Sequence, residues 1–446
     1  MKNCRRNNSI VMGAFLLCLL GASTPQALAE QTKDPLIEIL IRKGILTEQE
    51  AKEIRAEAKA LEEDRQKQVV EQIEKKVALM PKGLKDVSVG MLAYVDYSNG
   101  QKPLSGDREE SYNEFRLNRG YLTVKKQLTP WLGVRITPDI HQDDTGDWKL
   151  RLKYLYGEFK AGDLGFLTDV KSEVGLGHIP WLDFEEHINP YRCQGTMAVE
   201  RAGTFNSADL GIGFMGYLGG RLENADEKIG NHYYDGKWGS WHVGVYNGSG
   251  YHASEKNNNK IVDGRLTLRP LPEVLPGLQL SYFGLFGEGN TEYGDDSPDY
   301  KVNLGMLSYQ HPWFTLTAQY FTTEGNAKGD WVDAGHEALD TEGYSLFGDF
   351  KLPVLDKKLS VFGRWDHFDA DDNNMIADDS AYDLYIGGLA YEVYQHNMVL
   401  LTYETTDYED NFGNKDGVIT KGIKPSVTGN DPGAEKKVQI VYQIDF

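Results

Sequence analysis

From residue 87 to the carboxy-terminus the chain alternates apolar and polar side chains in stretch after stretch, and the links between stretches are long and short by turns. The last stretch shows the pattern most plainly. Val438, Ile440, Tyr442, Ile444 and Phe446 share one parity, Lys437, Gln439, Gln443 and Asp445 share the other, and only Val441 breaks the rule. A period of two over this length is a strand with one apolar and one wet face. Taken alone, such a strand suits either a soluble sandwich or a closed barrel.

The links separate those alternatives. Sixteen alternating stretches lie at 87–97, 113–126, 131–141, 148–160, 171–179, 209–218, 237–247, 260–269, 277–287, 300–310, 313–323, 342–351, 359–368, 382–394, 397–408 and 435–446. Segments 127–130, 271–276, 311–312, 352–358 and 395–396 are short, while 98–112, 180–208, 288–299, 324–341, 369–381 and 409–434 are longer and polar. Tight turns at one rim and long loops at the other are the rule of transmembrane barrels, and a sandwich has no reason to follow it. The fold expected is therefore all-β, a 16-stranded antiparallel transmembrane β-barrel over 86–446. Segment 219–236 is too long for its place in the alternation. An extra hairpin around His232, Tyr233 and Tyr234 would raise the count to eighteen; longer neighbouring strands would leave it at sixteen. With its aromatic end, the last stretch also resembles the closing strand of bacterial outer-membrane barrels, which implies that it pairs with 87–97.

Composition agrees. The chain has 446 residues, 25 Tyr, 48 Gly and a formal charge of −20. Its mean hydropathy is −0.49, and beyond the amino-terminus no apolar run nears the roughly 18 residues of a membrane helix. Barrel strands escape such a scan because half of each is polar. Lys2, Arg5 and Arg6, the apolar run 10–20 and Ala27-Leu28-Ala29 read as a secretory signal over 1–29. Its removal leaves Cys193 without a disulfide partner and a charge of about −23. Residues 30–85 turn to Glu, Lys, Ala and Gln, with a Thr47–Glu50 capping box. The sparse seam Ile54, Ala58, Leu61, Val69, Ile73 and Val77 fits a coiled coil or a solvated helix, on the periplasmic side.

Parity also assigns the lumen. With Leu132, Val134 and Ile136 outward, Arg135, Asp139 and His141 face in. With Leu150, Leu152, Tyr154 and Tyr156 outward, Lys149, Arg151 and Lys153 face in. The same reading places Arg265, Arg269 and Arg364 inside. A lumen lined in this way would favour anions, unless its cations pair with Asp139, Asp263 and Asp366. Segment 180–208 is too apolar for water and is expected to fold inward and narrow the bore. Asp183, Glu185, Glu186, His187, Arg192 and Arg201 are its candidate constriction residues; a subunit contact or external cover is the other reading.

Residues 119–133 (RGYLTVKKQLTPWLG), 244–248 (GVYNG) and 40–47 (LIRKGILT) resemble the phosphate-selective porin O and P family. The resemblance implies a sixteen-stranded, usually trimeric porin with a narrow basic lumen, set in outer-membrane lipid and lipopolysaccharide. A rival is the barrel sheath of a porin–cytochrome conduit, with a multihaem cytochrome partner; this chain has no Cys-x-x-Cys-His of its own. A hydrolase would need a nucleophile beside His141, His178, His187 or His367, and no nucleophile-elbow or metal-ligand spacing occurs. No enzyme activity, catalytic residue, cofactor, metal or nucleic-acid partner is expected.

Overall fold

The computed structural model describes residues 42–54, 56–57, 61, 83–104, 108–143, 145–376, 378–409, 411–412, 414–415, 418–419 and 433–446. The signal expected over 1–29 and most of the helical seam lie outside these residues. The chain divides into two units, 1–85 and 86–446. In the first, Thr47 and Glu50 cap a helix reciprocally. The Thr47 amide donates to Glu50 Oε2 at 2.8 Å, and the Glu50 amide donates to Thr47 Oγ1 at 3.3 Å.

The second unit is a closed antiparallel barrel of sixteen staves. They are β1 (Val87–Leu104), β2 (Arg108–Thr129), β3 (Leu132–Gln142), β4 (Trp148–Leu164), β5 (Leu167–His178), β6 (Ala208–Leu218), β7 (Gly239–Tyr246), β8 (Ile261–Leu268) and β9 (Leu278–Glu288). Then follow β10 (Asp299–His311), β11 (Phe314–Glu324), β12 (Asp340–Lys351), β13 (Leu359–Asp369), β14 (Ala381–Tyr394), β15 (Asn397–Tyr408) and β18 (Ala434–Asp445). The two-residue strands β16 (Asn414–Lys415) and β17 (Val418–Ile419) pair as a small hairpin in the last long link and are not staves. β1 and β2 reach well beyond 97 and 113, so the link expected at 98–112 is largely hairpin. Among the described residues no helix is long and apolar enough to cross a membrane.

Closure comes from β18 against β1, with Tyr97 opposite Ile440 and Leu92 opposite Asp445. The seam ends with the Met91 amide donating to the Phe446 carbonyl at 3.0 Å. A Cβ at Gly90 would lie 2.9 Å from that oxygen, so this close approach needs glycine. Val438, Ile440 and Tyr442 are exposed on the outer face; Gln439, Val441 and Gln443 are buried inside. Val441 breaks the alternation because the interior it meets is apolar there. At the opposite extreme of simplicity, the β14–β15 link is two residues, Gln395 and His396, both at positive φ, as a tight hairpin turn demands.

Link 219–236 carries no further pair of staves, which corrects the eighteen-strand alternative. It holds a bridge between Arg221 and Gly236 and a short helix, Ala225–Ile229. Leu222, Ala225 and Ile229 are buried together and give it a small core of its own. The segment therefore behaves as a folded strap at the short-turn rim.

Candidate functional site

Segment 179–207 joins β5 to β6 and runs through the barrel interior, with α1 (Leu182–Glu186) and α2 (Ala198–Ala202) along it. Trp181, Leu182, Phe184 and Val199 are fully buried. They share one cluster with Phe283, Leu285, Val302, Leu304, Phe321, Phe347, Phe362, Leu384 and Leu400, inward residues of β9 to β15. Trp181 meets Phe283 at 5.9 Å between ring centroids, and Tyr191 stacks on Phe362 at 4.1 Å. Each such side chain contributes about 1.5–3 kcal/mol by leaving water. The far wall thus presents apolar side chains to the lumen as well as to the outside, where parity alone led to the expectation of cations.

Polar ties finish the seating. Tyr191 Oη donates to Asp349 Oδ1 at 2.7 Å, and Gln319 Nε2 donates to Glu185 Oε1 at 3.1 Å. Arg201 and Lys437 both hold Glu404, at 2.9 and 3.1 Å. Glu185 also accepts from Trp181 Nε1 at 2.8 Å. Burial outweighs these bonds and pushes the Glu185 carboxyl up to about 7. Burial likewise pushes the Cys193 thiol up to about 12.

What remains open lies between this segment and two stretches of wall, β1 to β8 and β13 to β18. A cavity of about 940 Å³ sits toward the short-turn rim. Two more, of about 520 and 330 Å³, sit toward the long loops and share Asn118 and Arg119. Arg119, Lys125, Arg135, Arg151, Lys153 and Lys171 descend one wall on β2 to β5. Opposite them the inserted segment carries Asp183, Glu186 and Glu200. Several charges neutralise one another: Arg151 binds Asp139 at 2.7 Å, Lys171 binds Glu158 at 2.8 Å, Arg119 meets Glu200 at 3.3 Å, and Arg192 bridges Glu186 and Glu200 at 2.9 and 2.8 Å.

Three cations behave differently. Among the described residues Lys125, Arg135 and Lys153 make no ion pair. Arg135 donates to Thr137 Oγ1 at 3.0 Å, lies 3.3 Å from His178 Nε2 and sits 4.4 Å from the centroid of the Tyr154 ring. Lys153 donates to Tyr121 Oη at 3.0 Å and sits 4.2 Å above that ring. Lys125 stands beside Arg135 in the β2–β3 register and lines the 940 Å³ cavity with it. Asp183 lines the same cavity and is partly exposed. Burial would raise its carboxyl, but the His187 and His178 imidazoles and the Tyr234 hydroxyl prevail and hold it well below the usual range.

The structure places Arg135, Asp183 and His187 on the 940 Å³ cavity, Arg192 on the 520 Å³ cavity and Arg151 on the 330 Å³ cavity, whereas Lys153 and Glu186 point inward but line none of the three. Lys149 lies at the long-loop rim, pairing with Asp143 at 3.1 Å. Arg265 edges the large cavity but is spent on the Pro180 carbonyl at 2.9 Å and on the Phe184 ring. Arg269 is fully buried against the Gly236 carbonyl, and Arg364 pairs with Asp366 in the closed wall. Neither lines any of the three cavities. Glu185 is buried at the foot of the segment, and Arg201 reaches the 520 Å³ cavity while pairing with Glu404.

Tyr154 and Tyr156 point inward, contrary to the parity reading. The cause is a bulge: Thr137 pairs with Tyr154 and Pro138 with Leu152, so Lys153 is an extra residue and both it and Tyr154 face the lumen. A second bulge, with Asn118 as its extra residue, turns both Arg116 and Arg119 inward. Arg119, Lys125 and Lys171 were absent from the sequence-derived candidates. Outward Leu122 and Val124 were the available signal for Lys125; nothing in the alternation marks the bulge that exposes Arg119.

No family model matches the chain, and neither does any curated protein. Among solved structures it is similar to the outer membrane channel DcaP of Acinetobacter baumannii, with a TM-score of 0.52 at 12% identity over 81% of this chain and 97% of that one. It is also similar to OmpF of Salmonella typhi in complex with daunomycin, with a TM-score of 0.51 at 10% identity over 80% of this chain and 97% of the other. The barrel of this chain therefore has the fold of outer-membrane porins and channels.

Proposed function

We propose that the protein is a porin of the bacterial outer membrane, a water-filled channel through which small solutes diffuse, with a preference for anions. In this reading the long loops face outward and the short turns and residues 30–85 face the periplasm. The subunit assembles as a homotrimer in lipid and lipopolysaccharide. One observation carries the anion preference: Lys125 and Arg135 line the 940 Å³ cavity without an ion-pair partner, while Asp139, Glu158 and Glu200 are already bound to cations. Fixed, unpaired charge in a narrow, partly desolvated bore raises the local concentration of the opposite ion. Phosphate, suggested by the family resemblance, is one anion to try.

The rival readings have less support. A cytochrome conduit needs an interior free for a haem protein, and this interior is occupied by segment 179–207. A hydrolase needs a free base beside a nucleophile; of the candidate histidines, His178 has both ring nitrogens engaged, by Glu173 at 2.7 Å and by Arg135 at 3.3 Å. The test is the reversal potential of the purified protein in a planar bilayer across a potassium chloride gradient. The account predicts chloride preference, lost when Lys125 and Arg135 are both changed to Gln. Cation preference in the unaltered protein would overturn it.

A further inference from the structure

The strap 219–236 leaves the short-turn rim, yet it reaches the segment inserted from the opposite rim. Asn231 Nδ2 donates to the His187 carbonyl at 2.7 Å, and Tyr234 Oη donates to Asp183 Oδ2. The Tyr234 ring stands edge-on to Phe184 at 5.2 Å, and Tyr233 lies 4.1 Å from the His187 ring. The Arg265 guanidinium covers Phe184 at 4.2 Å and Tyr234 at 5.0 Å. At its base the strap is fixed to the wall by Arg221, which holds Asp169 and Asp235 at 2.9 Å each. Tyr233 and Tyr234 also line the 940 Å³ cavity.

We infer that the strap sets the channel's selectivity: Tyr234 is a positioning residue that keeps the Asp183 carboxylate away from the unpaired cations of the wall. Asp183 Oδ1 is 3.7 Å from His178 Nε2, and that nitrogen is 3.3 Å from Arg135. A carboxylate freed from Tyr234 has only this short way to go before it neutralises Arg135. The strap thus preserves the cationic side of the passage by holding an anion in place, through a hydroxyl that never needs to touch the solute. This inference rests on the channel reading.

The test measures the chloride-to-potassium permeability ratio in planar bilayers for the full-length protein and its variants. Tyr234→Phe keeps the ring and removes only the donor. It should lower the ratio by about twofold or more, the scale of one unscreened charge in a narrow bore. Asp183→Asn should raise the ratio, and the double variant should match Asp183→Asn alone, because Tyr234 acts through that carboxylate. Lys237→Ala, which breaks only the pair with Glu273 at 2.8 Å, should leave the ratio unchanged. Heat-modifiable migration on gels confirms that each barrel is folded. If folded Tyr234→Phe has the ratio of the parent, or if its effect persists in the Asp183→Asn background, the inference is overturned. A parent protein that does not conduct would instead overturn the channel reading.

Discussion

Trp181→Ala should loosen the inserted segment without unfolding the barrel. Trp181 is fully buried, contacts Phe184 at 5.6 Å and Phe283 at 5.9 Å, and gives its indole N–H to Glu185. Truncating a buried Trp costs about 3–5 kcal/mol. The stave ladders do not use this side chain, so the loss falls on the seating of 179–207. At about 1.4 kcal/mol per decade, the unseated population rises by about two to three and a half orders of magnitude. Cys193, the only cysteine beyond residue 29, reports that population. It is buried, and its raised pKa leaves very little thiolate at pH 8. The maleimide labelling rate of Cys193 should therefore climb steeply in Trp181→Ala, and single-channel records should show larger or flickering conductance. A folded variant with unchanged labelling and unchanged conductance would refute the argument that this apolar cluster holds the constriction.

Other outcomes follow from the same geometry. The Glu185 carboxyl lies above its unfolded value, so the seated state holds its proton more tightly than the released one. Seating is strongest below about pH 4.5 and weakens by about 3 kcal/mol as pH rises through 7; Trp181, Gln319, Arg364 and Asp366 face the group. Cys193 labelling, corrected for thiolate fraction, should increase from pH 5 to 8, and Glu185→Gln should flatten that dependence; an unaltered slope would count against it. Removing Phe446 takes away the two backbone bonds to Met91 at the seam and should reduce folded yield in the outer membrane, measured by heat-modifiable migration, whereas full yield would show the seam to be tolerant. Gly90→Val puts a side chain against the Phe446 carbonyl and should lower yield in the same assay, with parental yield as the contrary result.

The barrel was legible because a closed barrel gives its staves an outer face of one parity, and that parity survives in residues such as Val438, Ile440 and Tyr442. Closure followed from the link lengths, since tight turns and long loops alternate along most of the chain, with 98–112 and 219–236 as the exceptions. The interior was less legible, for two physical reasons. Bulges at Asn118 and Lys153 add a residue to one strand only, and a parity carried across them misplaces Tyr154 and Tyr156. The far wall is apolar on both faces because it packs on 179–207, a partner distant in sequence, so Leu285 beside Phe286 gives no hint of which one faces outward. Arg269 and Arg364 occupy inward positions, but closure by neighbouring chain removes them from the passage. The strap showed itself only as a link too long for its place.

The bore is the central claim, and its most direct test is the single-channel conductance of the protein with and without residues 183–199. If this segment narrows a water-filled passage, the intact protein conducts in discrete steps and the shortened barrel conducts more. Equal conductance in two folded proteins, or none in either, would contradict it.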